Sequence, residues 1–490
     1  MGTLRARLAK GSAWIVGARA LSNLIGFISN VLLARILAPE DFGLVTLGAS
    51  MLSILSSVTE LSLSSALVQH KNPTSVHYDT AWTLNVARGV VLAAVFSAAA
   101  YPVAGLYSEP RLATVMIALA GGALLTGLAN PRTIMLQRDL IFWQQFLLLV
   151  TQKLLGLIVA IAVAIAYRTY WAIIAGTLAG QLASTLLSYV FLPYRPRIGI
   201  EHSRELFSFS MWLSFGQVLS TLNWKLDHLL IGGLLGRSSL GLYSVGDQLA
   251  VIPSREAIAP LTSTMFPAFS LLAGDRGRVS ATYQKAQALI TSIALPAGFG
   301  MALIADPLIR LTMGERWLPA VAVIQVLASV YALTTLGALS KPLAMAMGET
   351  RLQFKKDLQY FAARVPLLLI GFGLGGFAGI LYARAIADFS GSYLNMRVVT
   401  NVIGLPVREQ ILVNARSMMS VCVMSAVVCV IGKMTSEVTS PAELVGKICA
   451  MAVAGAATYF GVLIACWIVS GRPAGPETEI IGLLKVFRRS

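Results

Sequence analysis

Charge is scarce in this chain: only 12% of its 490 residues are Asp, Glu, Lys or Arg, against about 25% in ordinary soluble domains. With 56% hydrophobic residues beside it, that scarcity argues against a soluble protein. Long polar stretches are missing too. The connections Ala38 to Asp41, Tyr107 to Leu112, Arg168 to Tyr170 and Arg237 to Ser239 are a few residues each, which argues against an enzyme with a folded extramembrane head. No Gly-rich phosphate loop carrying Lys occurs, so ATP is not the direct energy source. No carboxylate pair marks a glycosyl-transfer site, and His70, His77 and His202 fall in loops. No catalytic residue and no cofactor are therefore expected. Cysteine is limited to Cys422, Cys429, Cys449 and Cys466, within the last two apolar stretches and without metal-ligand spacing, so no metal site is expected either.

What the chain has in abundance is apolar runs. Stretches of about 20 residues, enough to cross a hydrocarbon core of about 30 Å, recur from end to end. Fourteen are expected: 12–37, 42–69, 81–106, 113–131, 143–167, 171–192, 207–235, 240–266, 287–312, 318–347, 360–374, 377–400, 416–433 and 448–470. The fold class is all-α, a polytopic membrane helix bundle. The first run follows Arg5, Arg7 and Lys10 but is too long for a signal-peptide core, and no small-residue cleavage site follows, so it is expected to be a retained helix. A formal charge of +16 would suggest nucleic acid in a soluble protein. Here Lys and Arg gather in alternate loops, by about four to one, so membrane lipid rather than nucleic acid is the expected partner, with both termini cytoplasmic.

A duplication organises the chain. Leu32 to Gly48 aligns without a gap on Leu230 to Gly246, an offset of 198, with Leu37/Leu235, Gly43/Gly241, Leu44/Leu242 and Gly48/Gly246 identical. The register extends back to Trp14/Trp212. Ala129-Asn-Pro131 and Ser340-Lys-Pro342 then close the fourth and tenth runs alike, and Trp171-Ala172 and Phe377-Ala378 open the sixth and twelfth. Two six-helix lobes in the same orientation are expected, residues 1–195 and 196–400, followed by two further helices and a cytoplasmic tail in 401–490.

The segments Leu33-Ala-Arg-Ile-Leu-Ala-Pro-Glu-Asp-Phe-Gly-Leu44 and Leu226-Asp-His-Leu-Leu-Ile-Gly-Gly-Leu-Leu-Gly236, together with Met265-Phe-Pro-Ala-Phe-Ser270, resemble the Wzx-type polysaccharide flippases. These belong to the multidrug/oligosaccharidyl-lipid/polysaccharide (MOP) exporter superfamily. The resemblance covers nearly the whole chain, the last two helices carrying least of it. It implies two six-helix lobes arranged in a V around a cavity. It also implies transfer of an undecaprenyl-diphosphate-linked oligosaccharide from the cytoplasmic to the periplasmic leaflet of the bacterial inner membrane. A polysaccharide polymerase and a chain-length regulator are the protein partners it implies.

Charges at bilayer depth are costly and mark function or pairing. Arg19, Asn23, Gly26 and Asn30 share one helix face, and their counterparts in the seventh run are Gln217, Thr221, Trp224 and His228, with Lys225 one position off the line. The two stripes read either as a cationic cavity lining, Arg19 and Lys225 with Asn23, Asn30, Gln217, His228 and Arg88, or as polar networks that lock helices, with Lys225 neutralised by Asp227. Asp227 lies two residues from Lys225 and so points to another side, which makes a cation on another helix, such as Arg88 or Arg255, its expected partner. Asp227, Glu60 and Asp388 are the candidates for ion coupling. Arg384 and Asp388 are four apart and can pair along one helix face. A multidrug antiporter would need a more acidic cavity than this inventory offers, whereas a murein-precursor flippase would share the architecture.

Overall fold

The computed structural model describes residues 2–59, 74–138, 142–201, 211–434 and 440–471; within α1 and at a few other helical positions only the backbone is described. The helices are α1 (Gly2–Ile36), α2 (Pro39–Val58), α3 (Ser75–Leu106), α4 (Pro110–Gly127), α5 (Thr133–Arg138), α6 (Phe142–Tyr167), α7 (Trp171–Phe191), α8 (Met211–Leu234), α9 (Gly236–Leu272), α10 (Arg276–Thr312), α11 (Pro319–Thr334), α12 (Ser340–Ala346), α13 (Thr350–Ile403), α14 (Val407–Leu412), α15 (Ala415–Met434) and α16 (Pro441–Val469). Among the described residues no strand occurs. In hydrocarbon every backbone polar group needs an internal partner, and helices supply one within the segment.

Ten helical segments of the described chain are long and apolar enough to cross a membrane. Three expected crossings, α1, α8 and α9, are not among them; α1 offers only the shorter apolar stretch Ala20–Ile36. Two others are fused in α13. At Gly375 (φ −154°) and Gly376 (φ 55°, ψ −124°) this helix leaves helical geometry and doubles back. Gly376 accepts that backbone because it has no Cβ. The arms then touch so closely that a Cβ on Gly379 would lie 1.8 Å from the Gly371 carbonyl oxygen. The reversal falls between the eleventh and twelfth expected crossings.

The chain forms two compact units, Met1–Ser244 and Val245–Ser490, with the division inside α9. In the first, α6 packs on α7 and on α1, α3 on α4, and α2 on α8 and α4. Lipid offers no hydrophobic drive for helix association, so close backbone approach by small residues does the work. On α6 and α7, Cβ atoms on Gly176 and Gly180 would lie 2.6 and 2.4 Å from the carbonyl oxygens of Gly156 and Gln152. Trp14 meets Phe146 edge to face at 5.1 Å, fixing α1 on α6. Large aliphatics such as Val91, Ile158, Ile165 and Leu186 stay exposed, as a lipid-facing surface requires.

After α7 the chain runs extended across the unit's surface. The Tyr194 hydroxyl donates to Asp79, Gly199 N–H to Thr83 Oγ1 at 3.1 Å, and Asn130 Nδ2 to the Leu192 carbonyl at 2.8 Å. Burial, and then the Asp79 carboxylate, push the Tyr194 phenol above its ordinary range.

In the second unit α10 packs on α11, α15 and α16, and α13 on α11 and α12. The last two long helices are held to α10 by an apolar cluster that includes Leu295, Met424, Val428 and Tyr459. Tyr459 is fully buried, and its hydroxyl donates to the Ser292 carbonyl at 2.9 Å. The elbow after α13 is tied by Gln410, whose Nε2 donates to the carbonyls of Met396 and Leu405 at 3.0 and 2.9 Å.

Candidate functional site

The polar residues of the first unit converge where α8 and the start of α9 meet α2. Their geometry follows from the turn at Leu235–Gly236. In an antiparallel hairpin, residues equidistant from the turn face each other, and this places Tyr243 of α9 beside Asp227 of α8. Tyr243 Oη donates to Asp227 Oδ2 at 2.6 Å, and both side chains are buried. The Tyr243 ring also meets the His228 ring edge on, with centroids 6.0 Å apart. His228 Nδ1 is 2.8 Å from Ser50 Oγ of α2, so three helices are joined by four polar side chains.

Just beyond, the two helices that begin the repeated segment cross in a reciprocal way. A Cβ on Gly43 would lie 1.8 Å from the Arg237 carbonyl oxygen, and one on Gly241 would lie 1.8 Å from that of Pro39. Residue 237 is 39 shifted by 198, as 241 is 43 shifted by 198. Thr46 Oγ1 then bonds Ser244 Oγ at 3.3 Å, again a pair 198 apart. Each helix thus makes the contact that the other makes, which is the mark of a local two-fold relation. Arg237 also pairs with Glu109 at 2.6 Å and so anchors the α8–α9 turn to the α3–α4 turn.

Of the remaining expected residues, Lys225 is half-buried on α8, one turn before the His228 cluster, while Gln217 is exposed. Asn23 and Asn30 are half-buried on α1. Arg88 bonds the Ser56 carbonyl through NH2 at 2.9 Å and Thr59 Oγ1 through Nε at 3.2 Å, tying α3 to α2. Arg255 reaches Glu256 at 3.4 Å on an exposed face. Asp227, for which a cation was expected, accepts a bond from the Tyr243 phenol. The side chain of Arg19, and Glu60 as a whole, lie outside the described residues.

Asp388 belongs to the second unit, where it sits in a buried chain of six side chains. Arg384 Nε bonds Asp388 Oδ2 at 2.9 Å, the expected pairing four residues apart. Arg384 NH2 donates at 3.0 Å to Tyr331 Oη, which in turn donates to Asp247. Arg364 NH1 donates at 3.0 Å to Tyr360 Oη, which donates to Asp388. The result is two Arg→Tyr→Asp relays joined by one salt bridge. Arg364 and Arg384 are 2% and 3% exposed, so the charges are matched almost entirely by one another rather than by water.

The hydroxyl partners Ser50, Tyr243, Tyr331 and Tyr360 are what sequence reasoning missed. For Tyr243 a signal existed in its distance from the Leu235–Gly236 turn. No group of three or more metal-type ligands occurs among the described residues.

Residues 32–322 match a family described as polysaccharide biosynthesis protein. The lipopolysaccharide biosynthesis protein WzxC of Escherichia coli strain K12 is 23% identical over 415 residues, 84% of each chain. The succinoglycan biosynthesis transport protein ExoT of Rhizobium meliloti strain 1021 is 26% identical over 327 residues, 64% of each chain. Among solved structures, the lipid II flippase MurJ in an inward closed conformation superposes with a TM-score of 0.74, covering 93% of this chain and 99% of that one at 14% identity. An inward-facing MATE multidrug transporter of the MOP superfamily gives 0.63 over 77% and 95%, also at 14% identity. These two likenesses establish the fold alone. The family match spans more than half of the sequence, and the chain belongs to the polysaccharide biosynthesis proteins.

Proposed function

We propose that this protein is a flippase for lipid-linked oligosaccharides, carrying undecaprenyl-diphosphate-linked repeat units from the cytoplasmic to the periplasmic leaflet of the bacterial inner membrane. On this reading the chain crosses fourteen times with both termini cytoplasmic. Residues 1–195 and 196–400 are its six-helix lobes, and 401–490 adds two helices and a tail. A polysaccharide polymerase and a chain-length regulator take up the product. The family match supports the polysaccharide, and the names of WzxC and ExoT support its biosynthesis and transport.

The observation that carries the mechanism is α8, a helix too polar for a lipid-facing role that holds Lys225 half-buried while Asp227, two residues on, is turned to Tyr243. An ammonium in a partly desolvated site attracts a phosphate or an acidic sugar more strongly than in bulk water, because the effective dielectric is lower. A cationic drug would be repelled by the same group, which favours an anionic passenger over the antiporter reading.

Lys225→Gln keeps most of the volume and removes the charge. It is expected to stop polymer export, with lipid-linked repeat units accumulating and protein level unchanged. Lys225→Arg is expected to retain part of the activity, since the charge stays but the donor geometry changes. The decisive strain carries Lys225→Gln with Asp227→Asn. If Lys225 serves only to neutralise Asp227, export returns in the double variant. Such a return would overturn the passenger-binding role.

A further inference from the structure

Asp247 and Asp388 have the look of a cation site: two carboxylates buried in a membrane-embedded unit, each 9% exposed and each met by a tyrosine hydroxyl. In a transporter such a pair invites a coupling ion. The geometry of the arginines argues otherwise. Arg384 is bonded toward both carboxylates, to Asp388 directly through Nε at 2.9 Å and to Asp247 by way of the Tyr331 hydroxyl, which it meets through NH2. Arg364 reaches Asp388 from the far side through the Tyr360 hydroxyl. The chain therefore contains two guanidiniums and two carboxylates, and its formal charges cancel.

We propose that Arg384 is a resident counter-cation: it occupies, as a covalent part of the protein, the place a bound monovalent ion would take between Asp247 and Asp388. Arginine suits the role because its guanidinium stays protonated under all physiological conditions and its fixed fork of donors serves two acceptors at once. A bound ion comes and goes with its concentration and can drive a cycle. A tethered one cannot leave. The relay then fastens α9 at Asp247, α11 and both arms of α13 together permanently, and Asp388 is withdrawn from the candidates for ion coupling. This inference does not depend on the identity of the passenger.

The test uses the full-length protein purified in nanodiscs. Binding of radioactive sodium and melting temperature are measured in sodium, potassium and choline chloride at equal ionic strength. Wild-type protein is expected to melt at the same temperature in all three salts and to bind no sodium that depends on Asp388. In Arg384→Gln the two carboxylates lose their shared counter-charge. The variant is expected to melt lower in choline chloride, to recover much of the loss in sodium or potassium, and to bind sodium that Asp388→Asn then removes. Arg384→Lys restores a tethered charge and is expected to be indifferent to the salt again. Saturable sodium binding by the wild type that is lost in Asp388→Asn would overturn the proposal. So would an Arg384→Gln protein that folds but shows no salt dependence. If Arg384→Gln does not fold, Arg384→Lys and the wild-type measurement still decide.

Discussion

The two units bury their polar groups by different chemistry. In the first, neutral side chains supply bonds around α8: a phenol to Asp227, a serine to His228, and a threonine–serine pair at the helix crossing. In the second, ion pairing dominates, with two guanidiniums matched to two carboxylates through two phenols. Neutral hydrogen bonds contribute about 1 kcal/mol each and are exchanged for water or ligand at small cost. A buried ion pair adds little net stability, yet losing one partner costs several times as much. The first arrangement suits helices that rearrange around a passenger, and the second suits helices that stay together.

Removing one charge from each unit sharpens that contrast. Asp388→Asn removes the carboxylate that buried Arg384 pairs with directly and is expected to lower unfolding stability by about 3–5 kcal/mol. Asp227→Asn keeps an acceptor for Tyr243, and the expected loss is about 1 kcal/mol. Melting temperatures of the two variants in one nanodisc preparation make the comparison, and equal losses would break it. The helix crossing ranks between them. Gly241→Ala places a methyl group against the Pro39 carbonyl, and overpacking of that kind costs about 1–3 kcal/mol. By the local two-fold relation Gly43→Ala should cost a similar amount, so a large inequality between the two would count against that relation. The smallest effect belongs to Arg310→Ala. Its pair with Asp306 is 42% and 44% exposed, and such pairs contribute about 0–1 kcal/mol.

Much of this was legible in the sequence. The expected crossings 360–374 and 377–400 left only two residues between them, and the chain reverses there. The spacing of Arg384 and Asp388 announced their salt bridge. What was not legible is the set of hydroxyls. A serine or tyrosine on an apolar helix leaves no periodic trace, and its partner depends on how two helices are registered. Ser50 meets His228 across 178 positions, and Tyr331 meets Asp247 across 84. The fusion of two crossings into one 54-residue helix likewise depends on a turn so tight that no loop separates them.

That tight turn bears on how the protein is made. With no loop between its arms, the segment 350–403 is expected to enter lipid as a helical hairpin rather than as two successive crossings. Arg364, Arg384, Asp388 and Tyr360 all lie within it, and their mutual bonds need no other part of the chain. The electrostatic barrier to placing guanidiniums in hydrocarbon, severe for an isolated helix, is therefore lowered inside the hairpin itself. Tyr331, synthesised earlier, and Asp247, earlier still, are then already in the membrane to receive it.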